Sequence, residues 1–183
     1  MKGILFVLIK AALAFIIALL CISCNPERVT EFTDEPADPD TYDMSVWEDM
    51  EAGIYSGFGS LDVAYPRSIP PSGNIVESIN LHGWKGERLS CKLLVWSTGP
   101  VENITIKASG FSNDQYKIKK EQILISTVKY VLCDEFLNER SGSCGPRDKN
   151  KIPAHLSPDL LLDVNSFTID TPGNRPVWIS VDI

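Results

Sequence analysis

Short apolar or alternating runs, each closed by turn residues, recur along this chain and limit the folds it can adopt. Pairs of turn residues break the pattern at 70–71, 72–73, 99–100 and 141–142. Between such breaks we predict strands at about 54–65, 75–84, 88–96, 101–108, 123–132, 166–170 and 176–183. No amphipathic stretch is long enough to predict a helix, and we expect the run at 158–163 to be one helical turn or a buried plug. The pattern predicts an all-β protein, an immunoglobulin-like β-sandwich of about seven or eight strands.

The stretch from Arg175 to Ile183 is typical of a half-buried strand that reaches the last residue without a stop. Its odd-numbered positions from 177 onward are apolar and share one face, whereas Trp178 and Ser180 lie on the other. No turn residue or polar tail follows, and a strand end left free tends to fray. We therefore expect this chain to be the front part of a longer protein, with a cut sheet edge that a partner domain would cover.

The chain begins with a positively charged stretch and an apolar run at 11–20. That run is about half the length of a bilayer-spanning helix, so we predict a signal peptide at 1–23. Ser23 before Cys24 resembles the end of a bacterial lipoprotein signal, although Cys21 stands where leucine is usual. An ordinary secretory signal, cut nearby and leaving a free thiol, is the alternative. We therefore expect the protein to be exported to the cell envelope. Acylated Cys24 would anchor it in the outer membrane, where it could be exposed at the cell surface.

Acidic residues are concentrated behind this segment. Residues 27–51 carry ten carboxylates against Arg28 alone, whereas residues 52–183 hold 14 acidic and 14 basic side chains. The proline-containing part of this stretch predicts a disordered acidic tether at 24–44, followed by the sandwich domain at 45–183. No basic patch stands out, so we expect no nucleic-acid partner.

Three cysteines follow the lipidation site. Cys91 alternates with leucines and is expected to be a small buried hydrophobic residue. Cys133 and Cys144 flank a short loop, and we predict a disulfide between them because the protein is exported. A metal site is the rival interpretation, but His82 and His155 are the only histidines and neither has a metal-ligand spacing. We expect neither a metal nor a cofactor.

Several motifs stand in a characteristic order between residues 45 and 183. They are Trp47-Glu48-Asp49, the run Gly57-Phe58-Gly59-Ser60-Leu61-Asp62-Val63, Trp84-Lys85-Gly86-Glu87-Arg88, Leu93-Leu94-Val95-Trp96-Ser97, the run from Val128 to Glu135, Cys144-Gly145, Pro158-Asp159-Leu160-Leu161 and Arg175-Pro176-Val177-Trp178. In this order they resemble the N-terminal β-sandwich domain of glycoside hydrolase family 123.

The resemblance implies a function for the whole protein and implies that this chain does not contain the catalytic residues. Members of that family are exported, often lipidated, and end in a (β/α)8 barrel that removes N-acetylgalactosamine from glycans. An Asp-Glu pair in the barrel carries the catalysis, in which the substrate's own acetamido group is the nucleophile. A barrel needs about 250 residues, so no residue here inherits those roles. The resemblance therefore implies a non-catalytic accessory domain that supports a barrel in cis or on a neighbouring product.

Two side-chain pairs leave other interpretations open. Asp134 and Glu135 form an acidic pair, which we interpret as a polar strand end and not as a catalytic dyad. Trp84 and Trp178 are candidates for contact with either a carbohydrate or a neighbouring domain. The alternative function is a stand-alone surface lipoprotein that binds a glycan.

Overall fold

The computed structural model describes residues 34–112, 115–133 and 154–183. Within these ranges the chain forms strands and two short 3-10 turns, Met44–Trp47 and Lys120–Gln122. The strands are β1 (Ile54–Gly59), β2 (Arg88–Ser97), β3 (Val101–Thr105), β4 (Phe111–Ser112), β5 (Lys117–Ile118), β6 (Ile123–Cys133), β7 (His155–Leu162), β8 (Ser166–Ile169) and β9 (Gly173–Asp182). No helix in the described ranges is long and apolar enough to cross a membrane.

Five strands form one antiparallel sheet in the order β1-β2-β9-β6-β7, and β3 pairs with β8 in a second, two-stranded sheet. The core lies between the two sheets. Val95 and Val177 from the large sheet pack against Phe167 and Ile169 from β8 in one buried cluster. The alternation of apolar residues along β2 and β9 produces this packing, since every second side chain points to the same face. The predicted all-β sandwich class is confirmed.

The last strand differs from the prediction. We expected an unpaired edge at β9, but β9 lies in the centre of the large sheet, paired with β2 over ten residues and with β6 over five. Ile183 continues this pairing, because its N–H donates to the Glu87 carbonyl at 2.9 Å and its carbonyl accepts from Gly86 at 2.6 Å. The edges of the large sheet are β1 and β7. Sequence alternation identified the strand but could not place it within the sheet.

Two further elements correct the predictions. The segment 75–84 is not a strand, since its only sheet contact is a single bridge between Val76 and Phe58. The run at 158–163 is neither a helical turn nor a plug, because most of it belongs to β7 and pairs with β6. Pro158 sits where the β6–β7 register shifts, between Lys129 and Tyr130. A proline cannot donate a ladder hydrogen bond, and an edge strand with an irregular register tolerates it.

Candidate functional site

A polar cleft of about 840 Å³ opens where the chain enters the sandwich. Its walls come from Asp34 and Glu35, from Arg67 and Ser68, from the β3 residues Glu102 and Asn103, and from the segment 166–175. Hydrogen-bonding and charged groups therefore dominate the walls, and Phe167 is their one aromatic side chain. A cleft of this volume is in the usual size range of small-molecule sites.

The floor of the cleft is an ion pair of two buried side chains. The Glu35 carboxylate accepts hydrogen bonds from both terminal nitrogens of Arg175, at 2.5 and 2.8 Å, and each side chain is 6% exposed. The same carboxylate accepts the Tyr130 backbone N–H at 2.6 Å and a longer hydrogen bond from Arg67 Nη1 at 3.3 Å. We call this arrangement the Glu35 clamp. A forked guanidinium–carboxylate contact is directional as well as strong.

The clamp changes the interpretation of the acidic segment. We predicted disorder throughout 24–44, but residues 34–43, which we call the strap, lie against the sandwich. Besides Glu35, Asp38 accepts a hydrogen bond from the Ser68 hydroxyl at 2.7 Å, and the Pro36 carbonyl accepts one from Arg67 at 3.1 Å. The prediction of disorder is therefore wrong for the strap, because local composition cannot register a partner 140 positions away. Residues 24–33 lie outside the described ranges.

Arg175 is held from its other side by β6. Its Nη1 also donates to the Val128 carbonyl at 3.2 Å, and its guanidinium carbon lies 5.2 Å from the centre of the Tyr130 ring. Burial, more than any charge, raises the pKa of the Tyr130 phenol, whose hydroxyl donates to the Tyr65 carbonyl at 2.7 Å. Tyr130 therefore stays neutral and can stack on the cation.

One side of the cleft carries the only non-glycine residue with a positive φ in the described parts of the chain. Asn103 has a φ of 57° and lies where the β3–β8 register shifts, between Val101 and Ile104. Asparagine tolerates the left-handed region better than most residues. Its backbone N–H reaches the Thr168 hydroxyl at 3.4 Å. Asn103 and the neighbouring Glu102 line this side of the cleft.

A second buried charge lies on β2 of the large sheet. Lys92 is 7% exposed, and its ammonium donates to the Leu61 and Val63 carbonyls at 2.8 and 2.7 Å, 5.5 Å from the centre of the Tyr65 ring. Burial lowers the pKa of this amine, and Asp62 opposes the shift. Lys92 thus fastens the loop after β1 onto β2.

The two tryptophans singled out by the sequence lie in different places. Trp84 is 80% exposed, in a turn before β2, and its backbone N–H donates to the Glu87 carboxylate at 2.7 Å. Trp178 is partly buried within β9, opposite Lys92 of β2 and Ser126 of β6. Four strand positions separate the Lys92–Trp178 pair from the Arg88–Asp182 pair beside the turn, which is about 13 Å along the strand. Trp84 and Trp178 therefore do not form one aromatic platform.

The remaining predicted sites have mixed outcomes. Cys91 is 8% exposed, and burial raises its thiol pKa, as expected of a buried small residue. Cys133 ends β6, but its predicted partner Cys144 lies outside the described residues, as do Cys24, Asp134 and Glu135. Within the described ranges, no three side chains from histidine, cysteine, aspartate and glutamate converge to hold a metal ion.

Sequence reasoning missed the clamp altogether. In the sequence, Arg175 stands out only as the first residue of a motif, and Glu35 only as one of many acids. A usable signal existed, since an arginine inside an otherwise apolar strand must find a counter-charge if it is buried. The sequence could not show which of the many carboxylates supplies that charge.

Comparison with known proteins assigns this chain to a family. A family model described as "Glycoside hydrolase 123 N-terminal domain" matches residues 58–183. A solved structure of a family 123 glycoside hydrolase from Clostridium perfringens, from a study of glycolipid glycan hydrolysis, superposes with a TM-score of 0.52 at 23% identity. The alignment covers 71% of this chain and 21% of that chain, so this chain corresponds to about a fifth of that structure. Curated protein sequences gave no match. On the strength of the family match, this chain belongs to the glycoside hydrolase 123 N-terminal domain family.

Proposed function

We propose that this chain is the non-catalytic N-terminal accessory domain of a family 123-like enzyme that removes terminal N-acetylgalactosamine from glycans. The observation that carries the proposal is the family match across 58–183, which spans the sandwich from late β1 to Ile183. In the structural relative, the matched part is a fifth of a longer glycoside hydrolase. A sandwich of this kind would brace a catalytic barrel, and the barrel's carboxylates would carry out the substrate-assisted reaction.

The cleft contains described carboxyl groups that an independent hydrolase activity could use. Hydrolysis by two carboxyl groups requires them to flank one glycosidic bond. Glu35, the one carboxyl group of the clamp, is already paired with Arg175 at the cleft. That arrangement supports a structural role for Glu35 and not a role as an acid or nucleophile.

An activity assay tests this proposal. The full chain alone should release no p-nitrophenol from p-nitrophenyl N-acetyl-β-galactosaminide. The same substrate should be cleaved when the chain is combined with a barrel encoded downstream of its gene. Turnover by the chain alone that disappears in Asp134→Asn or Glu135→Gln would overturn the non-catalytic assignment.

The location of the protein is part of the proposal. We infer that Cys24 is acylated after removal of residues 1–23 and anchors the protein in the outer membrane. The signal-like N-terminal sequence with its Ser23-Cys24 end supports this inference. Metabolic labelling with a palmitate analogue should mark the protein, and Cys24→Ser should lose the label. Labelling that persists in Cys24→Ser would place the lipid elsewhere.

Carbohydrate binding by the sandwich itself is the second candidate function, and the exposure of Trp84 favours it. Tryptophan is usually well buried, so an indole 80% exposed in a structured turn is available for stacking on a sugar face. Titration with N-acetylgalactosamine to millimolar concentration should change tryptophan fluorescence in the full chain but not in Trp84→Ala. An unchanged spectrum in both proteins would remove this candidate.

A further inference from the structure

The strap and the Trp84 turn lie at opposite ends of the same strand. Arg175, which holds the strap, is near the start of β9, whereas Ile183, which holds the turn, follows its last residue. Eight residue steps separate Arg175 from Ile183, which corresponds to about 26 Å along an extended strand. The point at which the chain enters the sandwich is therefore remote from its most exposed tryptophan.

Several contacts fasten the strap at the first end. The Glu35 clamp joins the strap to β9 and β6, and Asp38 joins it to Ser68. The Ser68 carbonyl then accepts the Trp47 indole N–H at 3.0 Å, so Trp47, at 6% exposure, lies beside the strap. These contacts connect the strap to β9, to β6 and to the segment that contains Arg67 and Ser68.

The turn at the second end is equally well defined. Residues 84–87 form a turn closed by a hydrogen bond from the Glu87 N–H to the Trp84 carbonyl at 3.0 Å. Gly86 has a φ of 91°, the conformation that the third position of a type II turn requires. Beside the turn, Arg88 makes two hydrogen bonds to Asp182, at 2.6 and 2.9 Å. Trp84 is thus presented on a structured element.

We propose that the Glu35 clamp biases the polarity of the domain toward the membrane, so that on average the strap end is proximal and the Trp84 turn distal. The inference rests on the proposed lipid anchor at Cys24. Its consequence is that a glycan or a neighbouring domain meets the Trp84 turn on the side of the sandwich that faces away from the lipid.

The clamp also sets how far the domain can move from the anchor. Ten residue steps separate Cys24 from Asp34, and even a fully extended chain of that length spans at most about 35 Å. If residues up to 44 were free, twenty steps would allow about 70 Å. Docking of the strap therefore halves the maximum reach and attaches the tether at the end opposite Trp84.

Hydrogen exchange tests the clamp independently of any lipid. In the full chain kept in detergent, the Tyr130 amide should be protected because Glu35 accepts its hydrogen bond. Glu35→Gln should accelerate exchange at Tyr130 and across 35–43 at least tenfold. Glu48→Gln, a substitution at an exposed acid outside the strap, is the matched control and should leave both unchanged. Equal exchange in Glu35→Gln and the unaltered chain would overturn the clamp.

The positions of the tryptophans allow the polarity to be measured, because they lie at different distances from the strap end. Trp47 and Trp96 lie near the strap end, Trp178 lies midway along β9, and Trp84 lies at the far end. Lipidated chain carrying 5-fluorotryptophan would be placed in bicelles that contain a lipid with a gadolinium-chelate headgroup. Paramagnetic broadening should then be strongest at Trp47 and weakest at Trp84, with Trp47→Phe and Trp84→Phe assigning the two signals.

The possible results separate the clamp, the polarity and the anchor. Stronger broadening at Trp84 than at Trp47, or equal broadening of both, would overturn the polarity. Glu35→Gln should reduce the difference between the two signals because the free tether lengthens. A chain whose mass shows no acyl group at Cys24 would overturn the anchor and with it the membrane polarity, whereas the exchange result on the clamp would stand.

Discussion

The Glu35 carboxylate and the Arg175 guanidinium face each other as a fork, at 2.5 and 2.8 Å, across 140 positions of sequence. Both side chains are 6% exposed, so water screens the pair little. Removing one partner of a buried pair leaves the other charge desolvated and unpaired, which costs more than the pair contributes net. The strap therefore belongs to the folded unit, although the family match begins only at residue 58.

Replacing Glu35 with Gln should lower the free energy of unfolding by roughly 3 kcal/mol, because Arg175 would stay buried without its counter-charge. The change would be measured by urea denaturation of the full chain. Glu48→Gln removes an acid of the same kind from an exposed position and should change stability by less than about 0.5 kcal/mol. A loss in Glu35→Gln no larger than in this control would contradict a stabilising role for the pair.

Gly59 should not accept a side chain. A methyl group added there would lie 2.6 Å from the Tyr65 hydroxyl oxygen and 2.8 Å from Leu94 Cδ1, in a tightly packed region. Gly59→Ala should therefore destabilise the fold by about 1–3 kcal/mol, measured by thermal or urea unfolding. At Gly99 a methyl group would meet no atom within 4 Å, so Gly99→Ala is the matched control. Equal stability of the two variants would refute the packing described around Tyr65.

The pKa of Tyr42 predicts that the strap makes the stability of the fold sensitive to alkaline pH. Burial, together with Asp38 and Asp40, raises the pKa of Tyr42 to about 12. Because the unfolded phenol ionises near pH 10, the contribution of Tyr42 to stability is complete below pH 10 and is lost as the pH rises to 12. The free energy of unfolding should fall more steeply with pH in the unaltered chain than in Tyr42→Phe. Tyr116→Phe, at a tyrosine 73% exposed, is the comparison variant. Identical slopes for Tyr42→Phe and the unaltered chain would argue against this role.

Thiol accessibility tests the cysteine assignments. Cys91 is 8% exposed with a raised thiol pKa, so it should react with a thiol reagent only after unfolding. If Cys133 and Cys144 form the predicted disulfide and Cys24 is acylated, unreduced protein should show one reactive thiol in denaturant and none in the native state. Mass spectrometry of the labelled protein would give the count. Three labels in denaturant would exclude the disulfide.

The local pattern of the chain predicted most strands but not their arrangement. Alternation identified β2, β6 and β9 because each has one face in the core, and such a face needs an apolar residue at every second position. The same rule failed at 75–84, where a single bridge from Val76 to Phe58 of β1 is not extended into a strand. It also failed at β7, whose proline and consecutive leucines hide the alternation of an edge strand.

The sequence by itself determined the all-β class, the burial of Cys91 and, through its ordered motifs, the family. These properties depend on residue types and their spacing, which are readable along one chain. Only the tertiary structure decided that β9 is the central strand, that Trp84 and Trp178 are apart, and that Glu35 meets Arg175. Those relationships are contacts between distant segments, and the physical reason that they escape the sequence is that any of its many acids could have neutralised the buried arginine.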